Sequence, residues 1–406
     1  MRPGTPGFIG ERLTEARQAR GLTAIALADL VGVSRQAISQ YENGSQSPSP
    51  DVMENISRIL RIPQKYFCSM INRKKERTIF YRSMAAITKA ARMRAGNRYN
   101  WFRDIVDYFK EFVLFPKLNI PDLNTPTDPC LLSSEQIEEI AAFIRAAWNI
   151  SDGPINNMVR LLENNGIYVA RDELGAETLD AFSEYDLEDG SAYIVLGSDK
   201  ASSCRSRFDA AHELGHLILH QKVLGTMIMR PVDHKFLEAQ AHRFAGAFLF
   251  PGSSFADELY ATNLDVFRGL KLKWKVSIGM MIKRAANMEI ISPEQESLLW
   301  RNYARRGWKS GEPLDREIEI EKPVLLLKAL GLIIKSGIHV REDILSRLSL
   351  NPHDIDILAS LEGRLGDMLI NDPEIHFIGD KASQEQGNDL QGQRLARIIE
   401  FPVKIK

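Results

Sequence analysis

The stretch Arg207-Phe208-Asp209-Ala210-Ala211-His212-Glu213-Leu214-Gly215-His216-Leu217-Ile218-Leu219-His220 constrains the fold of this chain more than any other. It reads as one continuous helix containing His-Glu-x-x-His. Residues four apart lie one turn apart on the same face, so the imidazoles of His212 and His216 can reach one metal ion. Glu213, about 100° further round, flanks that face within reach of a water on that metal. Asp209, His212, Glu213, His216 and His220 share one side; Ala210, Ala211, Leu214, Leu217 and Ile218 share the other. The expectation is a helix with a buried apolar back and a polar front that faces a cavity. The alternative is a helix that carries two histidines by accident. The bare pattern arises by chance in on the order of one chain in a hundred of this length, and the sorting of faces makes it rarer. A zinc (Zn2+) site is expected.

At 406 residues the chain exceeds one usual domain, and roughly two to four are predicted. It is 44% hydrophobic and 26% charged, the balance of a soluble globular protein. Cys68, Cys130 and Cys204 are scattered without a CxxC, which suggests neither a disulfide frame nor a thiolate zinc cluster. Cys204 reads as a buried small hydrophobe. With no signal at the N-terminus and no apolar run of membrane-spanning length, a cytoplasmic protein without membrane contact is expected. The net charge of -1 conceals an asymmetry. Basic side chains outnumber acidic ones nearly two to one over residues 1–116, and the remainder carries the opposing acidic excess. That division suggests nucleic-acid contact at one end only and a nucleoid-associated location.

Residues 8–71 read as four or five short helices. Phe8 to Arg20 ends at Gly21; Thr23 caps Ala24 to Val31, which stops at Gly32; Ser34 caps Arg35 to Glu42, stopped by Asn43-Gly44. Two short helices joined through Val31-Gly32-Val33-Ser34 form a helix-turn-helix pattern, with Leu27, Ala28, Val33 and Ile38 as its small core. The front of the third helix would enter the major groove of double-stranded DNA, which makes Arg35, Gln36 and Gln40 the candidate base readers. Leu22-Thr23, Leu27-Ala28, Gly32-Val33-Ser34, Ile38-Ser39, Tyr41-Glu42-Asn43-Gly44 and Pro48 resemble the lambda-repressor-like Xre family. The resemblance implies a dimer on an operator and adds Thr23 and Ser39 to the DNA-binding candidates. One departure is Ala24, where that family often has a phosphate-contacting Gln. The alternative is an all-helical module that binds protein and not DNA.

Residues 72–103 carry ten Lys and Arg against a single acid, Glu76, with Phe80, Tyr81, Tyr99, Trp101 and Phe102 interleaved. Supplementary phosphate contact and a solvated linker helix are both open readings. Trp101 to Phe115 turns amphipathic and reads as packing. Lys117 to Leu132, with three prolines, is a linker. Ser133-x-x-Gln136 is a capping box that opens a helix striped by Ile137, Ile140, Ile144 and Trp148. A helix from Ile155 to Asn164 follows, then strands at Ile167 to Ala170, Leu179 to Tyr185 and Ala192 to Leu196. A small sheet leading into the His212 helix resembles the zincin arrangement.

Two histidines need a third protein ligand if the fourth zinc position is to stay open. His220, on the same face but far along the helix, His234, in an expected loop after Pro231, Glu238 and His242 are the candidates. Glu238-Ala239-Gln240-Ala241-His242-Arg243-Phe244-Ala245 and Leu249-Phe250-Pro251 resemble the ImmA/IrrE metallopeptidases, as do Gly153-Pro154-Ile155 and Phe208-Asp209-x-Ala211-His212. That resemblance implies Glu238 as third ligand, His242 as a supporting group behind it, and Glu213 as the general base of a zinc endopeptidase. It further implies a repressor-type protein substrate and a stress or phage-linked signal; the rival is a transcription factor whose zinc domain senses without cutting.

Beyond Pro251, Leu270 to Ile291 reads as helix, turn and helix, an appendage of the peptidase core in preference to the alternative of a second DNA reader. Residues 309–322 read as connective. Residues 323–370 read as helical, with Leu325, Leu326, Leu327, Leu330, Ile333 and Ile334 making a buried face; Ile398 to Ile405 could close a sheet. The expected class is mainly α with a small β-sheet (α+β). The expected domains are a helix-turn-helix domain at 1–71, a basic linker at 72–132, a zincin-like domain at 133–308 and a helical C-terminal domain at 309–406.

Overall fold

The structure is a computed structural model, and it describes residues 4–70, 88–175, 179–186, 189–198, 202–223, 231–337, 341–367 and 399–400. The first part of the basic stretch, including Phe80 and Tyr81, lies outside these residues, as does most of Ile398 to Ile405. In chain order the helices are α1 (Gly10–Ala19), α2 (Ala24–Val31), α3 (Arg35–Glu42), α4 (Pro50–Leu60), α5 (Lys89–Lys110), α6 (Ser134–Ala147), α7 (Met158–Asn164), α8 (Ser203–Leu219) and α9 (Pro231–Leu249). They continue with α10 (Gly252–Glu258), α11 (Leu264–Trp274), α12 (Ile278–Asn287), α13 (Pro293–Arg305), α14 (Leu325–Ser336), α15 (Arg341–Leu348), α16 (Pro352–Leu358) and α17 (Arg364–Asp367). The strands are β1 (Val113–Leu114), β2 (Ile167–Asp172), β3 (Ala181–Tyr185), β4 (Ala192–Gly197) and β5 (Ile399–Glu400). The protein is mainly helical with a small sheet, as its sequence predicts.

Contacts gather the chain into two compact units that do not follow chain order. One comprises Met1–Ile71, Gly96–Phe115 and Val324–Lys406; the other comprises Asn72–Ala95 and Pro116–Pro323.

In the first unit, α1 to α4 bury Leu13, Ala16, Leu27, Ala28, Ile38, Met53, Ile56 and Leu60; Val33, expected in that core, is half-buried. Gly10 lets α1 approach α3, since a Cβ there would stand 2.3 Å from the Tyr41 carbonyl oxygen. Arg17 clasps Glu42 through Nε at 2.5 Å and Nη2 at 3.0 Å. Tyr99, Trp101 and Phe102 are buried, and the Trp101 indole donates to the Tyr66 hydroxyl at 2.8 Å. These aromatics pack, so they are no platform for bases. Arg98 and Arg103 are likewise buried, which removes them from any phosphate-contacting face. Asp354 on α16 accepts from Arg20 at 2.6 and 2.7 Å and from Arg98 at 3.0 Å. Helix α14 buries Leu325, Leu326, Leu330 and Ile333, while Leu327 is half-buried and Ile334 is exposed. β1 and β5 pair in parallel.

In the second unit the sheet has the order β2-β4-β3, with β4 parallel to β2 and antiparallel to β3. The capping box of Ser133 and Gln136 opens α6 as expected. Helix α8 is buried around nearly its whole circumference, because β3, β4 and α9 cover it together. The expected polar front lies in the interior, with His212 8% exposed, His216 2% and His220 0%. Gly215 permits the crossing of α8 and α9, since a Cβ there would meet Phe244 at 3.1 Å and Ala241 at 3.3 Å. Helix α9 begins at Pro231, a turn and more before the expected start at Glu238. Proline suits the first helical position, where no N–H is needed and φ is preset. His234 thus lies on that helix and not in a loop.

Candidate metal centre and DNA-binding surface

The α8–α9 crossing brings three expected ligands together. His216 Nε2 lies 3.0 Å from His212 Nε2 and 3.3 Å from Glu238 Oε1, and His212 Nε2 lies 3.1 Å from Glu238 Oε2. Donors about 2.0–2.1 Å from a tetrahedral zinc stand roughly 3.3 Å apart, so edges of this size fit such an ion. His212, Glu238 and His242 form an overlapping set whose donor atoms all lie within 4.8 Å of one another. The His242 ring stands 4.4 Å from the His212 ring, edge-on, and its Nδ1 donates to the Glu238 backbone carbonyl at 2.8 Å. His234 Nε2 is 3.8 Å from Glu238 Oε1, beyond hydrogen-bonding distance.

Electrostatics follow from burial and proximity. Burial alone would raise the Glu238 carboxyl, but the adjacent His212 and His216 imidazoles hold it well below the usual carboxylate range. Burial would lower the His212 imidazole, yet Glu238, Glu213 and Asp209 together raise it. Burial, then the nearby His212 charge, push His242 down and favour its neutral form. Burial and the Asp180 carboxylate push Asp209 up to about 7.

Glu213 points to the sheet side, where Ser183 on β3 donates to its Oε2 at 2.5 Å. His220, on the far side of His216, meets His216 Nδ1 at 3.0 Å through its own Nδ1, and its Nε2 meets Gln240 Oε1 at 3.0 Å. Neither Ser183 nor Gln240 is singled out by the sequence; the only hint is that His220 follows His216 by four residues. A cavity of about 1600 Å3 adjoins the centre, lined among others by Phe208, Asp209, His242, Arg243, Trp300 and Tyr303.

In the first unit, the Thr23 hydroxyl accepts from Ala26 N–H and the Ser34 hydroxyl from Ala37 N–H, each at 3.1 Å, so both cap their helices. Gly32 takes the left-handed conformation between them, with φ of 77°. Arg35, Gln36 and Ser39 are exposed on α3 and Gln40 is half-buried, which gathers the expected base readers on one face.

Residues 13–66 match the family described as helix-turn-helix, and residues 162–286 match a peptidase family described as the IrrE N-terminal-like domain. The chain joins a helix-turn-helix domain to a domain of that peptidase family. An HTH-type transcriptional regulatory protein of Methanocaldococcus jannaschii is 43% identical over 54 residues, 13% of this chain and 17% of its own length. The HTH-type regulator RghRB of Bacillus subtilis is 38% identical over 56 residues, 14% of this chain and 40% of its own. The SPbeta prophage-derived HTH-type regulator YonR, also of Bacillus subtilis, is 33% identical over 55 residues, 14% of this chain and 51% of its own. The chain thus spans about half or less of the length of these relatives. Among the described residues, no helix is long and apolar enough to cross a membrane.

Proposed function

We propose that this chain is a DNA-binding transcription regulator with zinc-dependent endopeptidase activity, directed at a repressor-type protein in a stress or phage-linked response. The observation that carries the reading is the convergence of His212, His216 and Glu238 donor atoms at 3.0–3.3 Å. His212, His216 and Glu238 are the zinc ligands, and His242 supports Glu238 from behind. Bound there, zinc supplies Lewis acidity, which polarises a peptide carbonyl and makes a water easier to deprotonate. Glu213 takes the proton of the attacking water and returns it to the leaving amine. Ser183 fixes the carboxylate in the orientation for that transfer. The adjoining cavity has the size and mixed polar and aromatic lining for a peptide segment.

Metal analysis after zinc supplementation should find one zinc per chain, and less than about half occupancy would count against the site. Glu213→Gln should keep zinc and abolish cleavage, because it removes only the base. The readout is a fragment blot after co-expression with a candidate repressor drawn from the neighbouring reading frames. Burial of the centre would also suit a zinc sensor that does not cut. Equal regulation by Glu213→Gln and the unmodified protein would favour that second reading.

For the DNA-binding end, we propose a cytoplasmic, nucleoid-associated homodimer on two operator half-sites about one helical turn apart. Arg35, Gln36, Ser39 and Gln40 face the groove, with Thr23 at the backbone. The expected boundaries place this function in residues 1–71 and the peptidase in 133–308. Replacing Arg35 and Gln36 with alanine should cost about 1–3 kcal/mol per lost base contact. Gel shifts on cognate and scrambled operators at two salt concentrations measure it. Equal affinity of the unmodified protein for both sequences would defeat specific recognition.

A further inference from the structure

The side chains behind His216 form a hydrogen-bonded line whose polarity can be read from its far end. Gln240, 4% exposed, donates from its amide nitrogen to the backbone carbonyls of Pro129 at 2.8 Å and Leu132 at 3.3 Å. Turning the amide over would set its oxygen against two carbonyl oxygens, so the oxygen faces His220. An amide oxygen only accepts, and His220 Nε2, 3.0 Å away, must therefore carry a proton. A neutral imidazole has one N–H, which leaves His220 Nδ1 as an acceptor. The atom it faces at 3.0 Å is His216 Nδ1, which in turn must be the donor. The lone pair of His216 then sits on Nε2, the atom that stands 3.0 Å from His212 Nε2 and 3.3 Å from Glu238 Oε1.

We infer that Gln240 and His220 are positioning residues that set the tautomer and ring orientation of His216, so that it offers a lone pair and not an N–H to a divalent cation. The inference rests on the reading of His216 as a zinc ligand. The direction of the line is anchored in two main-chain carbonyls ahead of α6, and His220 is fully buried, so bulk water does not compete for its ring nitrogens. A ligand histidine usually donates its second N–H to a carboxylate, a carbonyl or water. Here a second imidazole takes that role, and the amide oxygen behind it fixes which of its nitrogens accepts.

The test uses the full chain and zinc itself, with affinity read by competition against a chromophoric chelator. His220→Leu, which removes the acceptor, should weaken zinc about 10–100-fold, the usual effect of losing a group behind a ligand. His220→Asn places an amide oxygen where Nδ1 was and should recover most of that loss. In the zinc-loaded unmodified protein, imidazole 15N–1H correlation should show His220 neutral and protonated at Nε2, with a slowly exchanging His216 Nδ1 proton. His220 protonated at Nδ1, or as an imidazolium, would overturn the inference even if His220→Leu fails to fold. Unchanged zinc affinity in His220→Leu would do the same. Failure of the unmodified protein to bind zinc would instead remove the ligand reading on which it stands.

Discussion

Glu238 and His242 lie one turn apart on α9 and both approach His212, yet only Glu238 also reaches His216. The side-chain oxygens of Glu238 lie 3.1 and 3.3 Å from the two imidazole nitrogens of α8, whereas His242 meets His212 edge-on, ring to ring at 4.4 Å. Glu238→Ala should therefore nearly abolish zinc binding, while His242→Ala should cost only about 10–100-fold. Zinc titration of both variants decides the ranking, and the reverse order would move the ligand to His242. At this scale the two histidines and the flanking acid were legible because a helix fixes the angle between residues four apart. The polar groups that orient them were not. Ser183 sits on a strand and Gln240 on another helix, and their partners are chosen by tertiary packing, which leaves no local pattern.

Elements were legible wherever their ends carry chemistry of their own. Thr23, Gly32 and Ser34 delimit α2 and α3 through two side-chain caps and one left-handed turn, and those helices run as the sequence predicts. Helix α9 began earlier than expected because Pro231 reads equally as a stop and as a first residue. The crossing of α8 and α9 depends on Gly215, whose missing side chain leaves room for Phe244 and Ala241. Within the sequence that glycine is only a weak spot in a helix. Gly215→Val should force the helices apart, at about 1–3 kcal/mol of overpacking, and draw Glu238 away from both imidazoles. A lower melting temperature together with weakened zinc binding is expected. Unaltered zinc affinity at reduced stability would mean that the crossing does not set the donor spacing.

At the scale of the whole molecule, the ties that matter run between distant segments, and none of them was legible. The stretch read as connective, residues 309–322, supplies Glu312, which accepts from Lys271 at 2.7 Å and from the first backbone N–H groups of α12. It also supplies Glu321, which pairs with buried Arg207 and caps α7. In the other unit Asp354 holds Arg20 and Arg98. Burial would raise its carboxyl, but the two guanidinium groups outweigh burial and hold it below the usual range. A depressed carboxyl contributes stability above its unfolded pKa and loses it as pH falls through the native value. Asp354→Asn should thus be less stable at neutral pH, by about 3 kcal/mol, because it withdraws a buried carboxylate from two guanidinium groups. Its deficit should shrink on acidification, which thermal melts from neutral to acidic pH would show. A deficit independent of pH would assign the loss to packing.

The span of that clasp has a consequence for how the protein is made. Arg20 and Asp354 are 334 residues apart, so at about 5–20 residues per second the ribosome delivers the carboxylate roughly 20–70 s after the arginine. The intervening segments, Asn72–Ala95 and Pro116–Pro323, contain the peptidase-family domain and leave the ribosome before Asp354 does. The helix-turn-helix end, synthesised before those segments, receives this contact only after them, and a chain cut short before Asp354 carries it without its clasp. The clasp exists only in a chain that extends through Asp354.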